Sequence, residues 1–236
     1  MYFWEKGFDM KYVLLSYGIN KNTPIYGNTP KPRILAHSRI SDGDSSNTAI
    51  ISIHNHTGTH IDAPKHFIDD GKAISEYTLD ELVFKYPVIV NCLKNEASLI
   101  CPDDLQHASQ QKLQKCDCLL LHTGFGQFRG EERYRTHNPG IAPDTILWIR
   151  KEYPNIRCIG IDSISISSFQ HRSVGREAHI AAFISQKGLG NPLLLIEDLN
   201  LDAASYRMIE MLVHPWQIVG LDSAPCHVIV IIENGI

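Results

Sequence analysis

The chain has 236 residues, of which 43% are hydrophobic and 20% are charged, and its formal net charge is -4. This length is sufficient for one domain with a core of its own, and the balance of 22 Lys and Arg against 26 Asp and Glu argues against nucleic-acid binding, which requires a basic surface. No apolar run approaches the roughly 18 residues that a membrane span needs.

The N-terminal segment mixes charged residues into an apolar stretch. Glu5 and Lys6 interrupt it, so there is no continuous hydrophobic region of the kind found in signal peptides. We therefore expect no signal peptide. The apolar residues 1–4 are predicted to pack on a neighbouring subunit.

Short apolar segments rich in β-branched residues follow along the chain. Their length and their flanking Gly, Pro or Asp residues favour strands over helices. In chain order they are YVLLSY, AIISIH, YPVIVNCL, CDCLLLHTG, CIGIDSISIS, NPLLLIEDL, WQIVGLDS and HVIVIIE.

Three helices are predicted between these strands. SEYTLDELVFKY can begin at Ser75 as its N-cap, a polar stretch runs from Pro102 to Lys115, and Pro143 opens a third helix that Pro154 stops. The alternation of strands and helices predicts a mixed α/β fold, with residues 1–236 forming a single domain around one sheet system.

Histidine is unusually frequent, with 12 in the chain, and four of them cluster in one short segment. These four are His54, His56, His60 and His66. Gly58 and Pro64 disfavour a helix here, and in an extended segment His60 and Asp62 would share one face. A turn at Gly58 would bring His56 to the same point. Two imidazoles and a carboxylate suit Zn²⁺, Mn²⁺ or Fe²⁺ with positions left for water.

The segment HTGTHIDAPKH, from His56 to His66, resembles the H-x-G-T-H-x-D-x-P-x-H signature of the cyclase family. That family includes bacterial kynurenine formamidases (arylformamidases) and the manganese-dependent isatin hydrolases. The resemblance implies that His56, His60 and Asp62 hold one metal ion and that Asp62 bridges to a second. It also implies that His66 is the catalytic proton donor and acceptor, whereas His54 lies outside the motif.

In the cyclase family a later histidine and a glutamate at a strand end complete the second metal site. EAHIAAF followed by PLLLIEDL resembles that pattern and implies His179 and Glu197 as ligands. The gap between them is longer here than is usual in the family, so His171 is kept as an alternative to His179.

Other segments resemble the family more loosely. LLLHTGFG and GIDSISIS are similar to two of its strands, and GLDSAPCHVIVI is similar to its C-terminal strand pair, although Cys226 and His227 stand where the family usually has an arginine. TPIYGNTP resembles a turn that carries a substrate-stacking tryptophan, and it implies Tyr26 in the substrate-binding role. The proline that follows the aromatic residue in the family is absent here.

The six cysteines are too sparse for a disulfide framework and predict reduced thiols in a cytoplasmic protein. Cys116 and Cys118 are interpreted as core residues of a buried strand rather than zinc ligands.

The favoured function is a metal-dependent hydrolase that cleaves a non-peptide C–N amide bond, in an aryl formamide such as N-formylkynurenine or a cyclic amide such as isatin. The alternative is a metal-dependent cyclase or dehydratase, and a binding module with a closed structural metal is a third hypothesis. The resemblance implies a swivelling β/β/α-type fold, one or two Zn²⁺ or Mn²⁺ ions, and a homodimer or larger homo-oligomer. We expect a small-molecule substrate and neither nucleic acid nor membrane as partner.

Overall fold

The computed structural model describes residues 10–202 and 208–233. The expectations for the N-terminal segment, that it is no signal peptide and that residues 1–4 pack on a neighbouring subunit, therefore lie outside the described residues.

Within the described residues, strands outnumber helices. The strands are β1 (Met10–Leu14), β2 (Arg33–Ser38), β3 (Thr48–Ser52), β4 (His60–Asp62), β5 (Val83–Phe84), β6 (Pro87–Asn91), β7 (Leu99–Ile100), β8 (Cys118–His122), β9 (Gly140–Ile141), β10 (Cys158–Ile161), β11 (Leu194–Glu197), β12 (Met208–Pro215) and β13 (Ser223–Glu233). The helices are α1 (Gln110–Lys115), α2 (Glu132–Thr136), α3 (Pro143–Glu152) and α4 (Arg172–Phe183).

Nine strands form one mixed sheet in the order β5-β12-β13-β4-β11-β10-β8-β6, with β1 added to β13. The segment β6-β8-β10-β11 is parallel, and β4, β12, β5 and β1 join by antiparallel pairing. The long strand β13 pairs with β4 through Ser223–Pro225 and with β12 through the residues that follow. It therefore connects the two halves of the sheet and places β4 beside them.

Two apolar cores lie on opposite faces of the parallel strands. In β8, Leu119 and Leu121 pack toward the helices, whereas Cys118 and Leu120 pack toward the half of the sheet built from β12 and β13. This alternation is expected for a strand covered on both faces. The parallel strands therefore lie between the helices on one face and the antiparallel half of the sheet on the other. This layering confirms the predicted mixed α/β fold.

Buried Arg150 fixes the position of α4 against α3. Its guanidinium donates hydrogen bonds to the carbonyl oxygens of Ala181, Ile184 and Gly190 at 2.6, 2.9 and 2.7 Å. These carbonyls belong to the end of α4 and the loop beyond it, where the last helical carbonyls lack partners within the helix. None of the helices in the described residues is long and apolar enough to cross a bilayer.

Two of the three predicted helices differ from the structure. The segment that begins at Ser75 forms two short 3₁₀ turns and then β5, because Phe84 is fully buried and pairs with β12. Ser75 caps no helix there, and its hydroxyl accepts a hydrogen bond from the Gly220 amide at 3.2 Å. The stretch from Pro102 to Lys115 divides into a 3₁₀ turn and α1. The helix that begins at Pro143 is confirmed as α3.

One predicted strand is wrong. WQIVGLDS forms the connection between β12 and β13, in which Gly220 has a φ of 81° and Val219 is 89% exposed. A left-handed residue reverses the chain and cannot continue a strand. The other seven predicted segments each contain a strand. The elements α2, α4, β2, β7, β9 and β12 have no counterpart among the predicted segments.

Candidate metal centre

Strand β4 places two potential ligands on one face. His60 and Asp62 point to the same side, and Ile61 between them is buried in the opposite core. The register of β4 with β11 sets Glu197 directly opposite His60. All three polar side chains are at least 95% buried, so the sheet itself brings an imidazole and two carboxylates together.

The loop before β4 contributes His56. Gly58 adopts a φ of 66° there, a conformation that favours glycine, and a Cβ on it would lie 3.2 Å from the Ile19 side chain. With this turn, His56 Nδ1 lies 3.1 Å from Asp62 Oδ1. The predicted convergence of His56, His60 and Asp62 is therefore present in the structure.

Helix α4 contributes the most distant member. His179 Nε2 lies 3.5 Å from Glu197 Oε1, and both side chains are buried. Gly175, one turn earlier, permits α4 to approach the chain at Ser167, because a Cβ there would lie 1.7 Å from the Ser167 hydroxyl. The alternative residue, His171, is exposed at the start of the helix. The structure thus brings His179 rather than His171 to Glu197.

Each buried imidazole has one ring nitrogen that points away from the carboxylates, and this outer nitrogen is bound to an acceptor. His60 Nδ1 donates to the Gly58 carbonyl and His179 Nδ1 to the Gly175 carbonyl, both at 2.8 Å. Because a carbonyl can only accept, each neutral ring has its lone pair on Nε2, which faces the carboxylates. Backbone or carboxylate acceptors on the outer nitrogen are typical of metal-binding histidines.

Three buried polar atoms at the centre of the cluster lack a hydrogen-bond partner. They are His60 Nε2 and both carboxylate oxygens of Asp62. An unpaired carboxylate is costly to bury, and a cation between these atoms would remove that cost. The cluster contains two sets of three ligand atoms, in each of which the atoms lie within 4.8 Å of one another, and both sets include Asp62. The sets are His56, Asp62 and His66, and His60, Asp62 and Glu197. The donor chemistry of the cluster fits one or two divalent cations.

The charges of the cluster depend on one another. Burial disfavours the ionised form of every member, but pairing with Asp62 and Asp222 raises the pKa of His56 to about 10. Likewise, despite burial, the imidazoles of His179 and His60, whose Nε2 atoms lie 3.5 and 3.4 Å from the carboxylate oxygens, lower the pKa of Glu197 to about 2. The carboxylates therefore require positive charge at this point, which protonated imidazoles or a divalent cation can supply.

Glu197 is also held from the other side. Its Oε1 accepts hydrogen bonds from the Ser165 hydroxyl at 2.9 Å and from the Ile166 amide at 2.8 Å. Both donors lie in the GIDSISIS segment just beyond β10. This carboxylate is therefore fixed in the interior rather than emerging into solvent at the strand end.

Asp222 is a site residue that the sequence analysis missed. One of its oxygens, Oδ2, lies 2.7 Å from His66 Nδ1 and 3.0 Å from His56 Nε2, while Asn55 donates to the other at 2.8 Å. In the sequence, Asp222 is marked only by its place in GLDSAPCHVIVI, a segment that resembles the cyclase family but in which no residue was given a function. The pairing leaves His66 Nε2 and His56 Nδ1 for the interior of the site.

The cluster forms one end of a cavity of about 460 Å³. His56, His60, His66, His179 and Glu197 line it, and so does Tyr26. The Tyr26 hydroxyl lies 3.3 Å from the Ser167 hydroxyl, and its ring meets Phe169 edge to face at 5.8 Å. The cavity is large enough for a ligand of one or two rings, and Tyr26 lies where a wall residue can contact it.

Comparison with known proteins identifies relatives of this chain. A family model described as "Putative cyclase" matches residues 13–168. An uncharacterized protein of Haemophilus influenzae is 34% identical over 114 residues, which are 48% of this chain and 80% of that protein.

Two solved structures share the fold over nearly their whole length. Isatin hydrolase A from Labrenzia aggregata, bound to benzyl benzoate, matches with a TM-score of 0.78 and 22% identity, over 95% of this chain and 94% of that chain. A potential metal-dependent hydrolase with cyclase activity matches with a TM-score of 0.70 and 25% identity, over 96% of this chain and 100% of that chain. These similarities confirm the expected fold class.

Proposed function

We propose that this chain, which belongs to the cyclase family, is a metal-dependent hydrolase that cleaves a non-peptide C–N amide bond. The observation that carries the proposal is the buried set of unpartnered ligand atoms, His60 Nε2 and the two Asp62 oxygens, at the end of a cavity. The third hypothesis, a closed structural metal site, is disfavoured because the cluster opens onto a cavity, which His66 also lines.

The residues that would hold the metal are those in contact at the cluster. The resemblance to the cyclase family assigns His56, His60 and Asp62 to one ion and Asp62, His179 and Glu197 to a second, whereas the two compact sets of ligand atoms group His56 and Asp62 with His66, and His60 and Asp62 with Glu197. A bound Zn²⁺ or Mn²⁺ ion would lower the pKa of a water molecule from 15.7 toward about 7 and polarise the substrate carbonyl.

His66 would move the proton. Its ring is 25% exposed at the cavity, and its Nδ1 is held by Asp222 at 2.7 Å. The remaining nitrogen, Nε2, would accept a proton from the attacking water and return it to the departing nitrogen. An imidazole suits both directions, because its nitrogen accepts a proton when neutral and donates it when protonated. Asp222 would keep the ring oriented and stabilise its protonated form, as the carboxylate of a catalytic triad does.

The substrate would be an aryl formamide such as N-formylkynurenine or a cyclic amide such as isatin. The isatin hydrolase named among the matching structures supports this class, and Tyr26 would contact the ring of the substrate. The alternative is a cyclase or dehydratase that uses the same site, which the cyclase activity named for another matching structure supports.

Replacing His66 tests the assignment. We expect His66→Ala to retain its metal content, measured by plasma mass spectrometry, while its turnover of N-formylkynurenine or isatin falls by about 10²–10⁴-fold. Exposed His107, outside the cavity, provides the control His107→Ala. Full activity in His66→Ala would refute the role of His66, and a wild-type protein that holds metal but hydrolyses none of the amides would favour the cyclase or dehydratase.

We also propose a homodimer, and the β2–β3 hairpin supports it. The cross-strand pair Ile34 and Ile51 is 47% and 55% exposed, and the neighbouring pair Leu35 and Ile50 is 58% and 56% exposed. Both faces of the hairpin are therefore apolar and uncovered, and an isolated two-stranded sheet is marginally stable in water. A second copy offers an identical apolar surface for a two-fold interface.

The six cysteines are free, and five of them are buried. Buried thiols of this kind fit a reducing compartment, so a cytoplasmic location is part of the proposal.

A further inference from the structure

Two arginines line the cavity that the metal cluster closes. Arg172 and Arg176 lie one turn apart on α4, the helix that carries His179. Both are exposed at the cavity. Within the part of the chain that the structure describes, neither guanidinium has a carboxylate within salt-bridge distance. The cavity wall therefore has two positive charges that no carboxylate of residues 10–202 and 208–233 neutralises.

Aromatic rings hold one of these arginines in place. The Arg172 guanidinium lies 4.0 Å from the centre of the Phe169 ring and 6.0 Å from that of Tyr26. Stacking on a ring face orients a guanidinium and leaves its edge-on N–H groups able to donate. The Tyr26 hydroxyl takes part of this capacity, and the other N–H groups of the fork remain for a ligand. Arg172 is therefore positioned as a donor beside the wall that Tyr26 provides.

The carboxylates of the site cannot take these donors. Glu197, the acidic residue that lines the cavity, is bound by Ser165 and Ile166 and faces the imidazoles of His60 and His179. Asp62 is fully buried behind it. The negative charge of the site is committed to the metal cluster, so the arginines face the space that a substrate would fill.

We propose that the substrate carries a carboxylate, bound by Arg172 and Arg176, at the end remote from the amide that is cleaved. This inference rests on the proposed function. A guanidinium matches a carboxylate with two parallel hydrogen bonds. With a helical rise of 1.5 Å per residue, the two arginines lie roughly 5 and 10 Å along α4 from His179. The rings of Tyr26 and Phe169 lie beside Arg172, so they suit a substrate that carries an aromatic ring near its carboxylate.

Matched substrates test the proposal. 3-(2-Formamidophenyl)propanoate and its primary amide, 3-(2-formamidophenyl)propanamide, differ in one charge. We expect the metal-loaded protein to hydrolyse the acid with a kcat/KM about 10-fold or more above that of the amide, since hydrogen bonds between charged groups are stronger than neutral ones. Arg172→Gln/Arg176→Gln should abolish this preference mainly through KM, because both groups act on binding.

Two further variants serve as controls. Lys112→Gln/Lys151→Gln removes two exposed positive charges outside the cavity and should keep the preference for the acid. Arg172→Lys retains the positive charge and should keep part of the preference for the acid. Equal kcat/KM values for acid and amide in the wild type, or a preference that survives in the double arginine variant, would overturn the proposal.

A binding measurement separates this inference from the proposed function. 3-Phenylpropanesulfonate is anionic and a poor metal ligand, and titration calorimetry on the metal-loaded protein can compare it with uncharged 3-phenylpropanol. Tighter binding of the sulfonate, lost in the double arginine variant, supports the anion site even if no amide is hydrolysed. Equal binding of the two compounds contradicts the anion site even if formamides are hydrolysed.

Discussion

The orientation of each imidazole in the cluster is set by the acceptor on its outer nitrogen. Backbone carbonyls of Gly58 and Gly175 hold His60 and His179, whereas the Asp222 carboxylate holds both His56 and His66. Asp222 is therefore a positioning residue for two different roles, metal binding and proton transfer. Its replacement should affect both.

We expect Asp222→Asn to lose about 10- to 100-fold in turnover or in metal affinity, because partners outside the ligand set contribute effects of this size. An asparagine can still contact both rings, but it cannot stabilise a protonated His66. Steady-state kinetics and metal titration would measure the loss. Asp202→Asn is the matched control, since Asp202 pairs with His122 at 3.1 Å outside the cavity. Equal effects of the two substitutions would contradict the role of Asp222.

Another buried residue, Tyr134, couples stability to alkaline pH. Its hydroxyl donates to Asp198 Oδ1 at 2.6 Å, and Arg129 pairs with the same carboxylate. Burial, followed by the charge of Asp198, raises the pKa of Tyr134 well above 10.0. A raised folded-state pKa contributes stability that is complete below pH 10 and is lost as the pH rises toward the folded value.

Tyr134→Phe should therefore lower the free energy of unfolding by about 1–3 kcal/mol at neutral pH, the value of a hydrogen bond to a charged group. Above pH 10 its stability should fall less steeply than that of the wild type, because the titrating hydroxyl is gone. Urea denaturation at pH 8 and pH 10.5 would measure both. Tyr86, which is 61% exposed, provides the control Tyr86→Phe, and parallel pH profiles for all three proteins would be contrary to expectation.

Among the elements, α4 has the strictest packing requirement. It carries His179 and crosses the segment after β10 at Gly175, where a Cβ would lie 2.4 Å from the Ser167 Cβ and 2.7 Å from its Cα. The contact is with the main chain of that segment as well as its side chain. A larger residue must therefore displace the helix.

We expect Gly175→Ala to destabilise the protein by about 1–3 kcal/mol, the usual cost of overpacking. It should also weaken metal binding, because the displaced helix moves His179 away from Glu197. Thermal unfolding and metal titration would record the two effects. Gly130→Ala is the control, since a Cβ there would have nothing within 4 Å. A Gly175→Ala protein with unchanged metal affinity would show that α4 can shift without consequence for the site.

The elements differ in how far local sequence predicts them. The short apolar run in Cys118–His122 and the proline at the start of α3 lead directly to a strand and a helix. The segment that begins at Ser75 has helical spacing, but pairing of Phe84 with β12 makes its end a strand. Long-range pairing can override local preference, because side-chain burial is worth more than intrinsic propensity.

At the scale of the whole molecule, the β2–β3 hairpin lies between two segments of the cavity wall. Thr29 precedes it and His54 follows it, and both line the cavity. A second copy that covers the hairpin would therefore lie beside the mouth of the cavity. The proposed dimer and the site would then be adjacent.

Leu35→Glu tests the proposed dimer, because a charge on the apolar face opposes its burial. We expect a shift from dimer to monomer in size-exclusion chromatography with light scattering. Leu79, an exposed leucine outside the hairpin with 69% exposure, gives the control Leu79→Glu, which should remain dimeric. A wild-type protein that is already monomeric at micromolar concentration would contradict the proposal.

The sequence by itself determined the part of the site that is local in the chain. His56, His60 and Asp62 lie within seven consecutive residues, and strand alternation with the turn at Gly58 suffices to bring them together. The same local rules led to most strands of the mixed sheet, although not to β5 or β12. These properties depend on neighbouring residues, whose side-chain directions follow from the backbone conformation.

Only the tertiary structure decided which distant residues join the cluster. The register of β11 against β4 sets Glu197 opposite His60, the packing of α4 selects His179 over His171, and the turn before β13 brings in Asp222. Each of these contacts depends on how separate elements pack, and the spacing of residues along the chain does not give the distance between those elements. The shared core and the sheet register fix that distance.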